Sequence, residues 1–326
     1  MIPVNNAQKN IDYGYGAETD FYIVMIIPLL VNTFSFSGTL FIFYRTFSRW
    51  KHDRKNLSLS VRFPFYIAIT DFLYSLSILI EYSYIASNKS EFINSNETVT
   101  WPFLLCKIFG LFFTVFVLLN ILLVGAMSIV SWLRVVPKYR LELGKYDYKI
   151  WFPIILISLI IPLSSVNAYG LRNYSCGTKI GYNTIAIVVL SLIFITLLTI
   201  VFCYAQIIIT IRNIKEDNGS IPNLQNNLAQ LTSIEKRTFK KVLTYILVFI
   251  LQYIPIMIYN VCMFLKIRNI ILDALSPAVI SFGGIGNVIQ YLYNEGLSNK
   301  HTTSNYKLDS NEQSQQLQQS QLQVIQ

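Results

Sequence analysis

Apolar residues along the chain gather into seven long runs, separated by stretches rich in Lys, Arg, Asn and Ser. A helix needs about 20 apolar residues to cross the hydrocarbon core of a bilayer. The runs reach that length over Phe21–Tyr44, Phe63–Ala86, Pro102–Val130, Ile150–Gly170, Tyr182–Ile211, Thr238–Asn260 and Ile270–Tyr293. Inside lipid a backbone N–H or C=O has no water to bond, so runs of this kind are read as helices. The pattern predicts an all-α membrane protein, a seven-transmembrane helix bundle over residues 21–297. An N-terminal segment, 1–20, precedes it, and a tail, 298–326, follows. The Gln, Ser and Asn content of the tail predicts disorder, and its Ser and Thr are candidate phosphorylation sites. Pro64, Pro102, Pro153, Pro162, Pro255 and Pro277 lie within or at the ends of the runs, where membrane helices tolerate them and kink.

Composition agrees with lipid as the solvent. Of 326 residues, 53% are hydrophobic and 13% charged, against about 25% charged in an ordinary soluble domain. A net charge of +9 on a soluble protein would suggest nucleic acid. Here the basic residues stand between apolar runs and are read as topology signals and contacts for anionic lipid heads, so no nucleic-acid partner is expected. No short repeat runs through the chain, which excludes solenoids and propellers. Residues 1–20 lack a basic n-region, and the first run is too long for a signal-peptide core. It is read as an anchor that stays in place.

Lys and Arg in alternate loops set orientation. The stretches after the first, third and fifth runs, with the tail, carry 19 of them, against 7 on the other side. The expectation is a multi-pass plasma-membrane protein with its N-terminus outside and its C-terminus in the cytoplasm. Sequons at Asn88, Asn96 and Asn173 fall on the predicted outside and are candidate glycosylation sites, whereas those at Asn56 and Asn218 fall inside. Four cysteines are too few for a disulfide scaffold. Cys106 and Cys176 both meet the oxidising side, where a disulfide would pin the second outer loop to the top of the third helix; two unpaired thiols are the alternative. Cys203 and Cys262 are read as packing residues.

On these residues the chain resembles the G-protein-coupled receptors over residues 21 to about 297. The Cys106–Cys176 pair is one element. Ala68-Ile69-Thr70-Asp71 is similar to the rhodopsin-like pattern of Ala, two residues and a buried Asp. An acid at this depth costs roughly 2.5–3.5 kcal/mol on insertion scales. In such receptors the matching Asp binds a sodium ion, and Asn120 stands where the ion site is lined; an acid bonded to a neighbouring helix is the alternative. Phe249, Tyr253 and Pro255 resemble the Phe, Trp and Pro switch of the sixth helix, with Tyr for Trp. Asn287 and Tyr291 resemble Asn-Pro-x-x-Tyr, with Val288 for Pro. Gly283, Gly284 and Gly286 are expected to supply the helix flexibility that this Pro would give. Tyr204 resembles the tyrosine at the inner end of the fifth helix, and with Tyr291 would swing inward on activation.

The Asp-Arg-Tyr of the family should fall on Val130-Ser131-Trp132, where neither acid nor Arg stands. Arg134 follows one turn later, and Glu235 stands where the partner acid sits; two solvated loop charges are the alternative. The loss marks a divergent receptor, rhodopsin-like or of the fungal and amoebal cyclic-AMP-receptor-like group. Leu224, Leu228, Leu231 and Ile234 at helical spacing, followed by basic Lys236, Arg237, Lys240 and Lys241, predict a helix entering the sixth run whose basic face meets lipid and a partner.

The resemblance implies an extracellular ligand, small molecule or peptide, a heterotrimeric G protein as partner, and no enzymatic activity or cofactor. No acid stands at the third-helix position that binds amines in the family; Phe113 occupies it, so an aminergic ligand is not expected. Glu81, Asn167, Gln252, Tyr259 and Asp273 are the polar candidates for ligand contact, Glu81 first, with Asn260 beside them. A retinal protein needs a Lys in the seventh helix, and Ser281 stands at that height. A transporter or channel is the remaining alternative, since the glycine cluster could break the seventh helix as transporters do.

Overall fold

The computed structural model describes residues 18–52, 59–94, 101–137, 139, 143–144, 147–172, 174–179, 183–218, 244, 247–262, 264–265, 267 and 269–295. Each of the seven predicted runs holds one long helix. These are α1 (Glu18–His52), α2 (Leu59–Ser87), α3 (Phe103–Val135), α4 (Tyr148–Leu163), α5 (Asn183–Asn218), α6 (Leu247–Cys262) and α7 (Ile270–Glu295). Five of them are long and apolar enough to cross a membrane, while α4 and α6 are shorter apolar helices. Residues to Tyr291 form one compact unit; of the second, Leu292–Gln326, only the first four residues are described, as the end of α7. The amphipathic stretch 224–241 lies outside the described residues.

Helix α3 lies at the centre, packed against α2, α4 and α5. Its sequence explains the place: apolar residues run around its whole circumference, the mark of a helix enclosed by others. Leu118, Ile121 and Leu123 are fully buried. One apolar cluster joins α1, α2, α3, α5, α6 and α7; a second, around Phe63, Ile67, Leu123, Val130 and Ile154, joins α2, α3 and α4. On the outer faces, Leu30 is 56% exposed, Phe34 68% and Leu198 53%. So much outward apolar surface is a lipid-facing surface, and the chain is a multi-pass membrane protein.

The fourth run ends earlier than predicted. Helix α4 stops at Leu163, where the Ser164 hydroxyl donates to the Ile161 carbonyl at 2.7 Å. The chain then makes a 3-10 turn, Val166–Ala168, and an antiparallel hairpin of β1 (Tyr169–Arg172) and β2 (Ser175–Thr178), with Leu171 opposite Cys176. Tyr169 and Gly170 closed the run in the sequence, but they belong to β1, whose backbone is paired across the hairpin. The hairpin lies on α3, held by the disulfide between Cys106 and Cys176, whose Cα atoms are 5.2 Å apart. A Cβ on Gly110 would come within 3.3 Å of the Gly177 backbone, so glycine lets strand and helix touch.

Helix α7 is unbroken through the glycine cluster. A Cβ at Gly283 would meet Gln252, one at Gly284 would strike Ser35, and one at Gly286 would meet Val248. These glycines therefore admit α1 and α6 to close packing rather than unwinding the helix.

At the end of the bundle opposite the hairpin, Asp147 opens α4 at φ 56°, fully buried. Arg62 Nη1 donates to its Oδ1 at 2.9 Å and the Tyr66 hydroxyl to its Oδ2 at 2.8 Å, while the Tyr66 ring lies edge-on to Trp151. At the hairpin end, exposed Lys89 pairs with Glu18 at 2.7 Å and donates to the Tyr22 hydroxyl; the hydrogen bond to Glu18 raises its pKa.

Two predictions follow from these ties. Cys106→Ser and Cys176→Ser should each lower the unfolding temperature of the protein in nanodiscs by the same amount, on the order of 2–5 kcal/mol of stability. The double variant should be no worse than either single one, and a large loss from only one of them would argue against a structural bridge. Asp147→Asn keeps a residue that accepts positive φ but removes the charge facing Arg62. It should cost about 1–3 kcal/mol in the same thermal measurement, and an unchanged midpoint would mean the pair does not hold α2 to α4.

Candidate functional site

A buried carboxylate in lipid must be bonded or neutralised. Asp71, 4% exposed on α2, is bonded from two other helices. Asn120 Nδ2 of α3 donates to its Oδ1 at 2.6 Å, and Asn287 Nδ2 of α7 donates to its Oδ2 at 2.5 Å. The sequence placed these three residues in their helices. The structure shows that each oxygen of the acid takes one amide.

A second polar seam was not read from the sequence. Asn32 Nδ2 of α1 donates to the Ser75 carbonyl of α2 at 2.9 Å, and the Ser281 hydroxyl of α7 donates to Asn32 Oδ1 at 3.1 Å. The Ser75 hydroxyl donates to that of Ser35 at 3.3 Å. A lone Asn inside the first apolar run was the available signal, since such a group seeks a partner in another helix. Arg62 and Asp147, 85 positions apart, carry no such signal.

Toward the hairpin, the helices open into a cavity of about 140 Å³. Glu81 and Tyr82 from α2, Phe113 and Thr114 from α3, Tyr259 and Asn260 from α6, Asp273 and Ser276 from α7, and Ser175 to Lys179 of the hairpin region all line it. Glu81 is 3% exposed, and its Oε1 accepts the backbone N–H of Cys176 at 2.5 Å. The structure thus brings Glu81, Tyr259 and Asp273 together with Phe113. It does not bring Asn167 or Gln252 to the cavity. Asn167 is exposed on the 3-10 turn, and its carbonyl accepts from Lys179 Nζ at 3.5 Å. Gln252 is buried and donates to the Ile280 carbonyl at 3.3 Å, joining α6 to α7.

Phe249 and Tyr253 are both buried in α6 with ring centroids 4.5 Å apart, and Pro255 follows in the same helix. Tyr204 packs in the cluster that holds Phe249 and Tyr253. Tyr291 packs instead with Ile42 and Ala68, so the two tyrosines stand in separate clusters. At the end of α3 away from the hairpin, Val130 is buried, the Ser131 hydroxyl donates to the Met127 carbonyl, and Trp132 faces Phe202. Arg134 is exposed in the last turn. Glu235, Lys236 and Arg237 lie outside the described residues, as do Asn96 and Asn173. Asn88 is half-buried just past the end of α2, its amide donating to the Tyr84 carbonyl at 2.9 Å.

Asp71→Asn would turn an N–H group toward an amide that already donates. The loss of one charge-assisted bond should cost about 1–3 kcal/mol, read as a lower unfolding temperature. Exchanging the partners, Asp71→Asn with Asn287→Asp, should recover part of the loss. A single variant as stable as the parent would show that the acid does not hold the three helices.

The match to known proteins agrees with this geometry. The family model of the 7 transmembrane receptor (rhodopsin family) matches residues 46–285. No curated protein matches the chain. Among solved structures, squid rhodopsin superposes with a TM-score of 0.67 at 18% sequence identity, covering 92% of this chain and 85% of that one. At such low identity the likeness concerns the fold, whereas the family model covers most of the sequence. A seven-helix bundle with a buried acid bonded from α3 and α7, and a disulfide holding a hairpin on α3, is thus carried by a chain that belongs to the rhodopsin family of seven-transmembrane receptors.

Proposed function

We propose that this receptor passes an extracellular chemical signal, small molecule or peptide, to a heterotrimeric G protein by rearranging its helices, in the plasma membrane. One observation carries the reading. Helices α2, α3 and α7 each contribute both to the cavity and to the Asp71 hub: Glu81 and Asp71 on α2, Thr114 and Asn120 on α3, Ser276 and Asn287 on α7. Glu81 and Asp71 lie ten positions apart, roughly 15 Å along a helix. A ligand that fits one packing of these helices better than another shifts the balance between packings, and the hub shifts with it.

The Lys and Arg distribution supports an N-terminus outside and a C-terminus in the cytoplasm. The hairpin, the cavity and Asn88, Asn96 and Asn173, as glycan acceptors, would then face out. Arg134, with Glu235, Lys236 and Arg237, would face the G protein. Glu81, Tyr259 and Asp273 are the ligand contacts within the cavity. Phe249, Tyr253, Pro255, Tyr204 and Tyr291 form the switch whose repacking carries the change inward. A sodium ion at Asp71 would be held by the carboxylate with the amide oxygens of Asn120 and Asn287, hard donors of the right kind; both amides would have to turn from their N–H bonds to the acid. Retinal chemistry is not supported, because α7 has no Lys and the Ser281 hydroxyl is bonded to Asn32.

The purified receptor in nanodiscs, mixed with heterotrimeric G proteins of several classes and screened against ligand libraries, should accelerate guanine-nucleotide exchange in a ligand-dependent way. The alternative is a transporter or channel. Solute flux in liposomes, with no exchange on any G protein, would replace the receptor reading.

A further inference from the structure

We propose that the cavity takes a small organic cation, a protonated amine, with the Glu81 carboxylate as its counter-ion. The inference deepens the receptor reading by naming the ligand class of its cavity. The carboxylate of Glu81 lines the cavity, and the Cys176 N–H is its one hydrogen-bond partner among the described residues. No Lys or Arg pairs with it among those residues. Lys179, the base along the cavity wall, reaches the Asn167 carbonyl instead. A carboxylate 3% exposed with one neutral donor is short of positive charge, and an ionised acid so deep is stabilised by a cation brought to it.

The rest of the wall fits the same guest. Asp273, 9% exposed, adds a second acid. Tyr259 and Asn260 on the wall carry side-chain oxygens of the kind that accept N–H bonds, while Phe113, Val117 and Ile280 supply an apolar face for a hydrocarbon body. The Phe113 ring adds a surface that attracts cations. Phe113 in place of an acid excludes an amine held from the third helix; the structure supplies the acid from the second helix, in the same cavity.

The test uses the full chain in nanodiscs and three probes of one shape: benzylamine, benzyl alcohol and benzoate, each at millimolar concentration and neutral pH. Benzylamine should raise the unfolding temperature by about 2–4 °C, and the alcohol and the carboxylate should raise it less. Glu81→Gln keeps an oxygen for the Cys176 N–H but no charge, and should lose the difference between amine and alcohol. Equal shifts from amine and alcohol, the largest shift from benzoate, the full amine preference in the Glu81→Gln protein, or no amine shift at all would overturn the proposal. The comparison of the three probes on the unaltered protein decides the matter even where the variant does not fold. Binding is read without a G protein, so its failure is distinct from a failure to catalyse nucleotide exchange.

Discussion

The carboxylate of Asp71 is the group on which the arrangement of the bundle depends. Helices in a bilayer are not driven together by water, because lipid tails are as apolar as leucine; close packing and a few interhelical hydrogen bonds decide which faces meet. An acid in the middle of α2 cannot face lipid without a large cost. Amides on α3 and α7 bond its two oxygens, one each, which fixes the facing sides of three helices together. The neighbouring seam of Asn32, Ser75 and Ser281 adds α1 to the same set. Small residues make this closeness sterically possible, as at Gly284 against Ser35.

At the hairpin end a different chemistry does the joining. The disulfide fixes Cys176 to α3, and the backbone N–H of the same residue bonds Glu81 of α2. One residue of β2 thereby ties two helices and forms part of the cavity wall. A carboxylate held by a backbone donor within a covalently anchored strand has a fixed position, which favours binding with little loss of side-chain freedom. The cavity and the Asp71 hub share the same three helices, so rigid α2, α3 and α7 connect the hairpin end to the middle of the bundle.

The opposite end departs from the family pattern in a way that the packing explains. Val130 is buried beside Phe63, Ser131 bonds within its own helix, and Trp132 meets Phe202. These residues are used for packing, and the place of the family's arginine is filled by Ser131, whose hydroxyl is bonded to the Met127 carbonyl of its own helix. An ion pair does occur near this end, but between α2 and the start of α4, where Arg62 and Tyr66 share the buried carboxylate of Asp147.

The seven spans were legible in the sequence, because hydrophobic length is a local property that lipid converts directly into structure, whereas the family and the residues Asp71, Asn120 and Asn287 came from motif resemblance. The end of α4 was not: Val166, Ala168 and Tyr169 continue the apolar run, and only the 3-10 turn and the pairing of Tyr169 with β2 show that the chain has left the helix. The glycines of α7 read as flexibility and proved to be contact points, since a glycine's neighbours belong to other helices. Asn167 and Gln252 read as ligand contacts on polarity alone, and the fold turned one outward and bonded the other to Ile280. Spacing along the chain determined which helix each polar group belongs to. The rotation of each helix about its axis, which decides whether Glu81 meets Cys176 or lipid, is set by the partners it finds across the bundle, and only the tertiary structure decides that.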